Sequence, residues 1–226
     1  GQPEDYLARL RKPLGSLRVA FSPDLGHARV DSEVGALVAS AAHTFESLGC
    51  KVEEVTPDFG PDGPELGRFF WRAHEQGLAR YLGSEWEPKM DPGLVACIRA
   101  GQGTTVEDYL AMRARKYRYV EQVYAFLADY DLLLTPSVSV PAFPATRLAP
   151  EDWEEHEWDW IRWAEFSYPF NFSGSPAASV PCGFTAAGLP VGLQIVSRRF
   201  NDLGVLQAAA AFEAAAPWAD RRPDLS

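Results

Sequence analysis

Two serines, Ser173 and Ser175, are the side chains best placed for nucleophilic chemistry, because they lie in a glycine-containing segment beside a predicted strand. A serine nucleophile needs a neighbouring base that takes its proton, and the sequence offers no base that can be named. Hydroxyls in such segments commonly bond nearby backbone groups instead, so a structural role in a turn is favoured for both. Cys182, directly after Pro181, is interpreted in the same way: a buried thiol at the end of a strand is favoured over a nucleophile.

Common cofactor sites are absent from the sequence. The four histidines, at positions 27, 43, 74 and 156, lack a second His or a Cys at metal-ligand spacing. Neither GxGxxG nor GxxxxGK[ST] occurs, so nucleotide phosphates have no recognisable binding loop. The GxSxG pattern of a nucleophile elbow is also missing. We therefore expect neither a metal nor another cofactor.

An acidic segment, residues 151–163, contains four tryptophans, at positions 153, 158, 160 and 163. Indole rings in this arrangement could form the wall of an apolar substrate pocket, or they could cover the core. Both interpretations stay open. Trp163 is the better pocket candidate, because it leads into the serine-containing segment.

The stretch Tyr168–Ser197 is predicted to hold these residues in place as a loop, a buried strand, a turn and a second buried strand. Small and turn-forming residues in positions 171–176 predict a non-helical segment. Residues 177–180 and 191–196 are predicted to be interior strands, and Gly192 would allow a neighbouring backbone to approach closely. A polar loop between interior strands is where α/β proteins usually place a site.

The rest of the chain predicts an α/β fold with a mixed, largely parallel sheet covered by helices. Strands at 17–21 and 51–55 enclose a helix that Asp31 can cap, which makes a βαβ unit. A long helix to about residue 128 is predicted to begin with a Thr104–Glu107 capping box. Its predicted core face consists of Val106, Leu110, Arg113, Tyr117, Val120, Tyr124 and Leu127. A buried strand at 131–135 and an irregular connection at 136–150 follow.

Composition limits the possible partners and locations. The chain has 226 residues, 46% of them hydrophobic, and a net charge of −10. An acidic protein is a poor binder of nucleic acid or of an anionic membrane surface, and no apolar run approaches the ~20 residues that span a bilayer. The three cysteines are far apart, which indicates reduced thiols in a cytoplasmic protein. The chain opens without Met, and we expect it to be a single-domain fragment.

Several segments resemble the amidase signature family. YPFNFSGSPAASVPCGF and GLPVGLQIVSRRFNDLGVLQAAAAFE look like its C-terminal part. LRVAFSPDLGHARVDSEV with FESLGCKVEEVTP is similar to a mid-chain segment of the family, and YDLLLTPSVSVPAFP to a family strand with its following loop. The resemblance covers nearly everything from Leu17 to Pro223, in the family's order. It implies an α/β/α sandwich, of which residues 1–226 would form the C-terminal part of one domain.

The resemblance also implies amide hydrolysis, or ammonia transfer from glutamine, by a Ser, cis-Ser, Lys triad. The Gly/Ser-rich signature that carries the triad is absent, and none of the lysines, at positions 12, 51, 89 and 116, matches the catalytic one. No catalytic residue is therefore assigned, and the missing N-terminal half is the expected partner, with a homo-oligomer also possible. The substrate, a small amide, is expected to meet a pocket wall formed by Trp163, Tyr168, Phe170, Asn171 and Phe172, with Pro136 and Ser137 near the entrance.

Glutamine-using members resemble this chain less well at two positions. Their substrate-binding Arg aligns with Ala96 or Cys97, and Arg99 is displaced from it. Their acidic residue aligns near Trp163 and Ala164, next to Glu165. Both differences favour an uncharged or aromatic amide. The alternatives are the amidase-like component of a glutamine-dependent tRNA amidotransferase, or a scaffold or binding protein that kept the fold without the chemistry.

Overall fold

The computed structural model describes residues 5–222, which form one five-stranded mixed sheet with helices on both faces. The strands are β1 (Arg18–Phe21), β2 (Lys51–Glu54), β3 (Leu132–Pro136), β4 (Ala177–Phe184) and β5 (Pro190–Val196). The helices are α1 (Tyr6–Arg9), α2 (Ser32–Ser47), α3 (Gly63–Glu75), α4 (Pro92–Gly101), α5 (Val106–Ala128), α6 (Tyr168–Ser173) and α7 (Asp202–Ala215). Short 3₁₀ helices lie at Gln76–Tyr81, Glu87–Lys89 and Trp160–Trp163. The α/β prediction is confirmed.

The strand order is β2-β1-β3-β5-β4. β1 pairs in parallel with β2 and β3, whereas β5 is antiparallel to both β3 and β4. The sheet is mixed, as expected, and the predicted βαβ unit is present. The strands after the serine segment and after the Gly188 turn are immediate neighbours, as the predicted site requires.

Alternate residues of the strands enter two hydrophobic cores, one on each face of the sheet. Val19, Leu132 and Leu134 face the α2 and α7 side, where Phe45 stacks on Phe212. Ala20 and Leu133 face the α3, α5 and α6 side. This alternation gives the sheet a helix layer on each face.

The start of α2 follows the predicted capping chemistry. Asp31 Oδ1 accepts hydrogen bonds from the backbone N–H groups of Glu33 and Val34. An N-cap carboxylate satisfies amides that the first helical turn leaves unpaired, and its charge suits the positive end of the helix dipole.

The capping box of α5 is displaced by one residue from the prediction. Thr105 and Asp108 form the reciprocal pair, whereas the Thr104 hydroxyl donates to the Gly101 carbonyl. The predicted core face of α5 is also largely wrong. The buried residues are Met112, Tyr119, Val120, Val123 and Leu127, while Val106, Leu110, Tyr117 and Tyr124 are exposed.

The segment predicted to be non-helical contains α6, so that prediction is wrong for residues 168–173. Pro169 lies in the first turn, where its missing N–H costs no hydrogen bond. Gly174 follows in the left-handed conformation with φ 63°, which ends the helix. The two residue types interpreted as helix breakers are the boundaries of a short helix.

β4 is an edge strand of the described sheet and not an interior strand, which corrects the sequence prediction. It continues through Pro181 to Phe184, with a register shift between Pro181 and Gly183. Proline cannot donate to a ladder and is therefore tolerated at an edge or a bulge. Over residues 5–222 no helix combines the length and apolarity that crossing a bilayer requires.

Candidate functional site

A buried network of charged side chains lies beneath α6 and joins three distant parts of the sequence. Arg68 of α3 donates from Nε to Asp159 Oδ2 at 2.7 Å and from Nη2 to Glu165 Oε1 at 3.4 Å. The side chains of Asp159 and Glu165 are only 5% and 9% exposed. Carboxylates removed from water in this way need a paired cation. Arg68 therefore holds the segment that leads into α6 against α3.

His27, in the turn after β1, closes the other side of this network. Its Nδ1 lies 3.1 Å from the Leu25 carbonyl, which can only accept, so Nδ1 carries a hydrogen. Its Nε2 lies 3.1 Å from Tyr168 Oη and 3.5 Å from Glu165 Oε2. The titrating nitrogen therefore faces a phenol and a carboxylate. The network connects the end of β1 to the first residue of α6.

The pKa values of these groups follow from their surroundings. The hydrogen bond with Glu165 raises the pKa of His27 above its usual value, although burial opposes this in part. Burial raises the pKa of Tyr168 far above its ordinary range, and the Glu165 carboxylate adds to the effect. Burial likewise raises the pKa of Tyr119, which shares this core. Both phenols therefore stay neutral, and His27 is the group of this network whose protonation changes near neutral pH.

We expect the His27 contribution to stability to be present in mild acid and lost in mild alkali. Because its pKa is higher in the folded than in the unfolded protein, the stabilisation is complete below the unfolded-state pKa of about 6.5 and disappears as the pH rises through the folded-state pKa. Urea unfolding of His27→Gln should show a deficit of about 1 kcal/mol at about pH 6 that shrinks by about pH 8.5. His43→Gln, at an exposed ring beside Glu46, is the matched control. A deficit that grows with pH contradicts the prediction.

Of the residues predicted to form the pocket wall, four belong to α6. Tyr168 and Phe170 are buried in the core at 6% and 3% exposure, whereas Asn171 is exposed. Phe172 contacts the rings of Phe70 and Tyr168 edge-on or tilted. These side chains therefore leave α6 in different directions, some to the core and some to its surface.

Trp163, Pro136 and Ser137 lie near the end of β3. The Ser139 N–H donates to the Trp163 carbonyl at 3.0 Å, and the Trp163 ring meets Phe143 edge-on. Gln194 of β5 donates both to Thr135 Oγ1 and to the Phe166 carbonyl, each at 3.0 Å. The end of β3 is thereby tied to the segment that leads into α6, which brings the two groups of predicted residues into one region.

The serine hydroxyls form two pairs. Ser173 and Ser175 are buried, with their Oγ atoms 2.8 Å apart, and Ser173 also donates to the Phe170 carbonyl. Ser137 and Ser179 lie beside Gly192, with their Oγ atoms 2.6 Å apart. The close approach predicted at Gly192 therefore comes from side-chain hydroxyls and not from a backbone. The bonds of Ser173 and Ser175 agree with the structural role favoured for them.

The described residues hold no activated nucleophile. Burial raises the pKa of Cys182 to about 11, which keeps the thiol protonated at neutral pH. Lys116 lies over the rings of Phe70 and Phe172, and Lys89 lies over Trp86. Between residues 5 and 222, no group of three His, Cys, Asp or Glu side chains could bind a metal ion.

Known proteins resemble this chain over nearly its whole length. A family model described as Amidase matches residues 2–206. The acylamidase of Rhodococcus erythropolis is 36% identical over 227 residues, which cover 96% of this chain and 46% of that protein. The amidase-like component of the glutamyl-tRNA(Gln) amidotransferase of Brevibacillus brevis is 28% identical, over 97% of this chain and 49% of its own.

Solved structures agree. A bacterial aryl acylamidase, described as belonging to the amidase signature enzymes, superposes with a TM-score of 0.83 at 27% identity, covering 96% of this chain and 47% of that chain. The chain thus spans about half the length of the curated relatives that it matches.

Proposed function

Since the chain belongs to the amidase signature family, we propose that it is the C-terminal part of an enzyme that hydrolyses a carbon–nitrogen amide bond. The observation that carries the proposal is the 36% identity to an acylamidase over 96% of the chain. The aryl acylamidase structure, at TM-score 0.83, supports the same activity. Residues 1–226 would then be part of one domain, in a cytoplasmic protein.

In this proposal the catalytic residues lie outside the 226 residues. A seryl nucleophile attacks the amide carbonyl and forms an acyl-enzyme, a second serine and an unprotonated lysine relay the proton, and backbone N–H groups stabilise the oxyanion. The absence of a nucleophile–base pair among the described residues supports this division of labour. So does the exposed apolar side of α5, where Val106 and Leu110 are 76% and 54% exposed and could pack against the missing half or a second copy.

The chain would contribute scaffold and the wall of the acyl pocket. The proposed wall residues are those predicted from the sequence: Trp163, Tyr168, Phe170, Asn171 and Phe172, with Pro136 and Ser137 near the entrance. The hydrogen bonds of Gln194 and Ser139, which draw the end of β3 toward the segment before α6, support this grouping. The Ser137–Ser179 hydroxyl pair is exposed at this end of the sheet, next to the free edge of β4.

A glutamine-dependent role, as the amidase-like component of a tRNA amidotransferase, is the second candidate, because such a component is 28% identical to the chain. Two contacts argue against it. Arg99 pairs with Glu87 at the surface, and Glu165 is already engaged by Arg68 and His27. Neither side chain is free to hold the charged ends of glutamine. A glutaminase assay of the full-length protein separates the two candidates, and loss of both activities favours a scaffold or binding protein.

Substitutions of wall residues should change which amides the full-length enzyme prefers. Trp163→Ala and Phe170→Leu are expected to alter the ratio of kcat/KM between an aryl and a small aliphatic acyl amide about tenfold, since pocket contacts of this size discriminate by such factors. Trp153→Ala is the matched control, since its ring packs under Arg29 instead. Thermal unfolding checks that each variant is folded. An unchanged preference in both variants removes these residues from the wall.

A further inference from the structure

A cleft of about 260 Å³ between α3, α4 and the tryptophan segment combines aromatic rings with carboxylates. Trp71, Trp158 and Trp160 line it on one side, and Asp91 and Glu157 line it on another. Trp71 and Trp160 stand nearly perpendicular, at 88° with ring centroids 5.0 Å apart. Two indoles in this arrangement form a corner whose electron-rich faces attract a compact cation with an apolar surface.

The cleft carries no positive side chain of its own. Neither Lys nor Arg is among the residues that line it. His156 does line it, but its Nδ1 accepts the backbone N–H groups of Trp158 and Asp159 at 3.2 and 3.0 Å, so that nitrogen is unprotonated and the ring neutral. The nearest cation is Arg72, which lies over the Trp158 ring with 5.7 Å to the centroid. The guanidinium shows that this indole already accepts a positive charge.

The walls of the cleft are fixed relative to each other. A Cβ atom at Gly93 would come within 2.3 Å of the Glu157 carbonyl oxygen, so the tryptophan segment lies directly on the first turn of α4. The Asp91 Oδ1 atom accepts the Leu94 N–H at 2.9 Å, which orients that carboxylate as the cap of α4. A site that is already formed before its ligand arrives loses little entropy on binding.

The charge around the cleft is strongly negative. Residues 151–157 contain five carboxylates, within a chain whose net charge is −10. Glu154 and Glu155 are paired with Arg162 and Arg147, respectively. Glu157 belongs to the cleft and adds its charge to that of Asp91. A cation would therefore be attracted, and an anion repelled, before either reached the rings.

We propose that this cleft binds a small organic cation of the quaternary ammonium class, held by the Trp71–Trp160 corner and by the carboxylates of Asp91 and Glu157. The small volume favours a headgroup-sized ligand over a larger one. This proposal does not depend on amide hydrolysis, because it concerns binding alone.

The test is a calorimetric titration of the full-length protein with three ligands of similar shape and different charge: choline, 3,3-dimethyl-1-butanol and 3,3-dimethylbutyrate. Choline is expected to bind at least about tenfold more tightly than the neutral alcohol, and the anion not at all. Equal binding of choline and the alcohol, or no choline binding, overturns the proposal.

Variants locate the binding. Asp91→Asn keeps a good helix cap while removing the charge, and Glu157→Gln changes only an exposed carboxylate; each should weaken choline about threefold to tenfold and leave the alcohol unaffected. Glu151→Gln, on the same segment but outside the cleft, is the control for net charge and should change choline binding less than twofold. Trp71→Leu should weaken choline about tenfold. If Glu151→Gln weakens choline as much as the two cleft variants do, binding is non-specific attraction to the acidic surface and the proposal is wrong.

Discussion

Replacing Arg68 by alanine is expected to lower the free energy of unfolding by about 3 to 5 kcal/mol. The substitution leaves Asp159 and Glu165 with side chains only 5% and 9% exposed and without their shared cation. A carboxylate in that position must either remain ionised at a high desolvation cost or take up a proton. Urea unfolding monitored by circular dichroism measures the loss. Arg99→Ala is the control, because Arg99 is 57% exposed in its pair with Glu87 and such pairs contribute at most about 1 kcal/mol.

A second variant separates loss of charge pairing from loss of packing. Arg68→Met combined with Asp159→Asn and Glu165→Gln removes all three charges and keeps similar volumes. Much of the stability should return, since the cost in Arg68→Ala comes mainly from uncompensated buried charge. A triple variant as unstable as Arg68→Ala would show that the hydrogen bonds of the network, and not its charge balance, hold this region.

The isolated chain of 226 residues is expected to hydrolyse no aryl amide, whereas the full-length protein does so at enzymatic rates. Enzymes typically accelerate their reactions by at least about 10⁶-fold, and acyl transfer by serine requires a base beside the nucleophile. No described serine lies beside a lysine or histidine base, and Lys116 packs on two phenylalanine rings instead. Release of 4-nitroaniline from 4-nitroacetanilide by equal molar amounts of both proteins measures the difference.

The control for that comparison is the folded state of the isolated chain, checked by its unfolding transition in urea. Turnover by a purified, folded chain that survives Ser137→Ala, Ser173→Ala, Ser175→Ala and Cys182→Ala would point to a contaminant. Turnover that one of these substitutions abolishes would place a nucleophile within the chain and contradict the proposed division of labour.

Local sequence signals predicted much of this fold. Asp31 before a helical apolar period and a strand on either side of that helix were enough for the βαβ unit. Leu132, Leu133 and Leu134 form a continuous apolar run because the strand is covered on both faces. Each of these features is decided within a short stretch of sequence, where hydrophobic period and capping chemistry act together.

The errors occurred where one local pattern allows two structures. Pro169 and Gly174 can break a helix or bound one, and their spacing did not decide between the two. Both faces of α5 carry large apolar side chains, so the period alone could not show that Tyr119 and Val123 face the core while Tyr117 and Tyr124 do not. Tertiary contacts decided each case.

The charged network was missed for a different reason. His27 and Arg68 lie far before Asp159 and Glu165 in the chain, and none of the four belongs to a recognisable motif. The one available signal was the pair of acidic residues among apolar neighbours, Asp159 between Trp158 and Trp160 and Glu165 between Ala164 and Phe166. An acidic side chain inside such a run predicts a buried partner, although it does not say which residue supplies it.

The two edges of the sheet differ in a way that governs self-association. β2 carries Lys51, Glu53 and Glu54 along its outer edge, and charged side chains of this kind oppose the addition of a further strand. β4 carries no charged residue from Ala177 to Phe184. If two copies paired through β4, each would use its one receptive edge and present only charged β2 to solvent. Polymerisation by strand addition would therefore stop at a closed dimer instead of growing into a fibre.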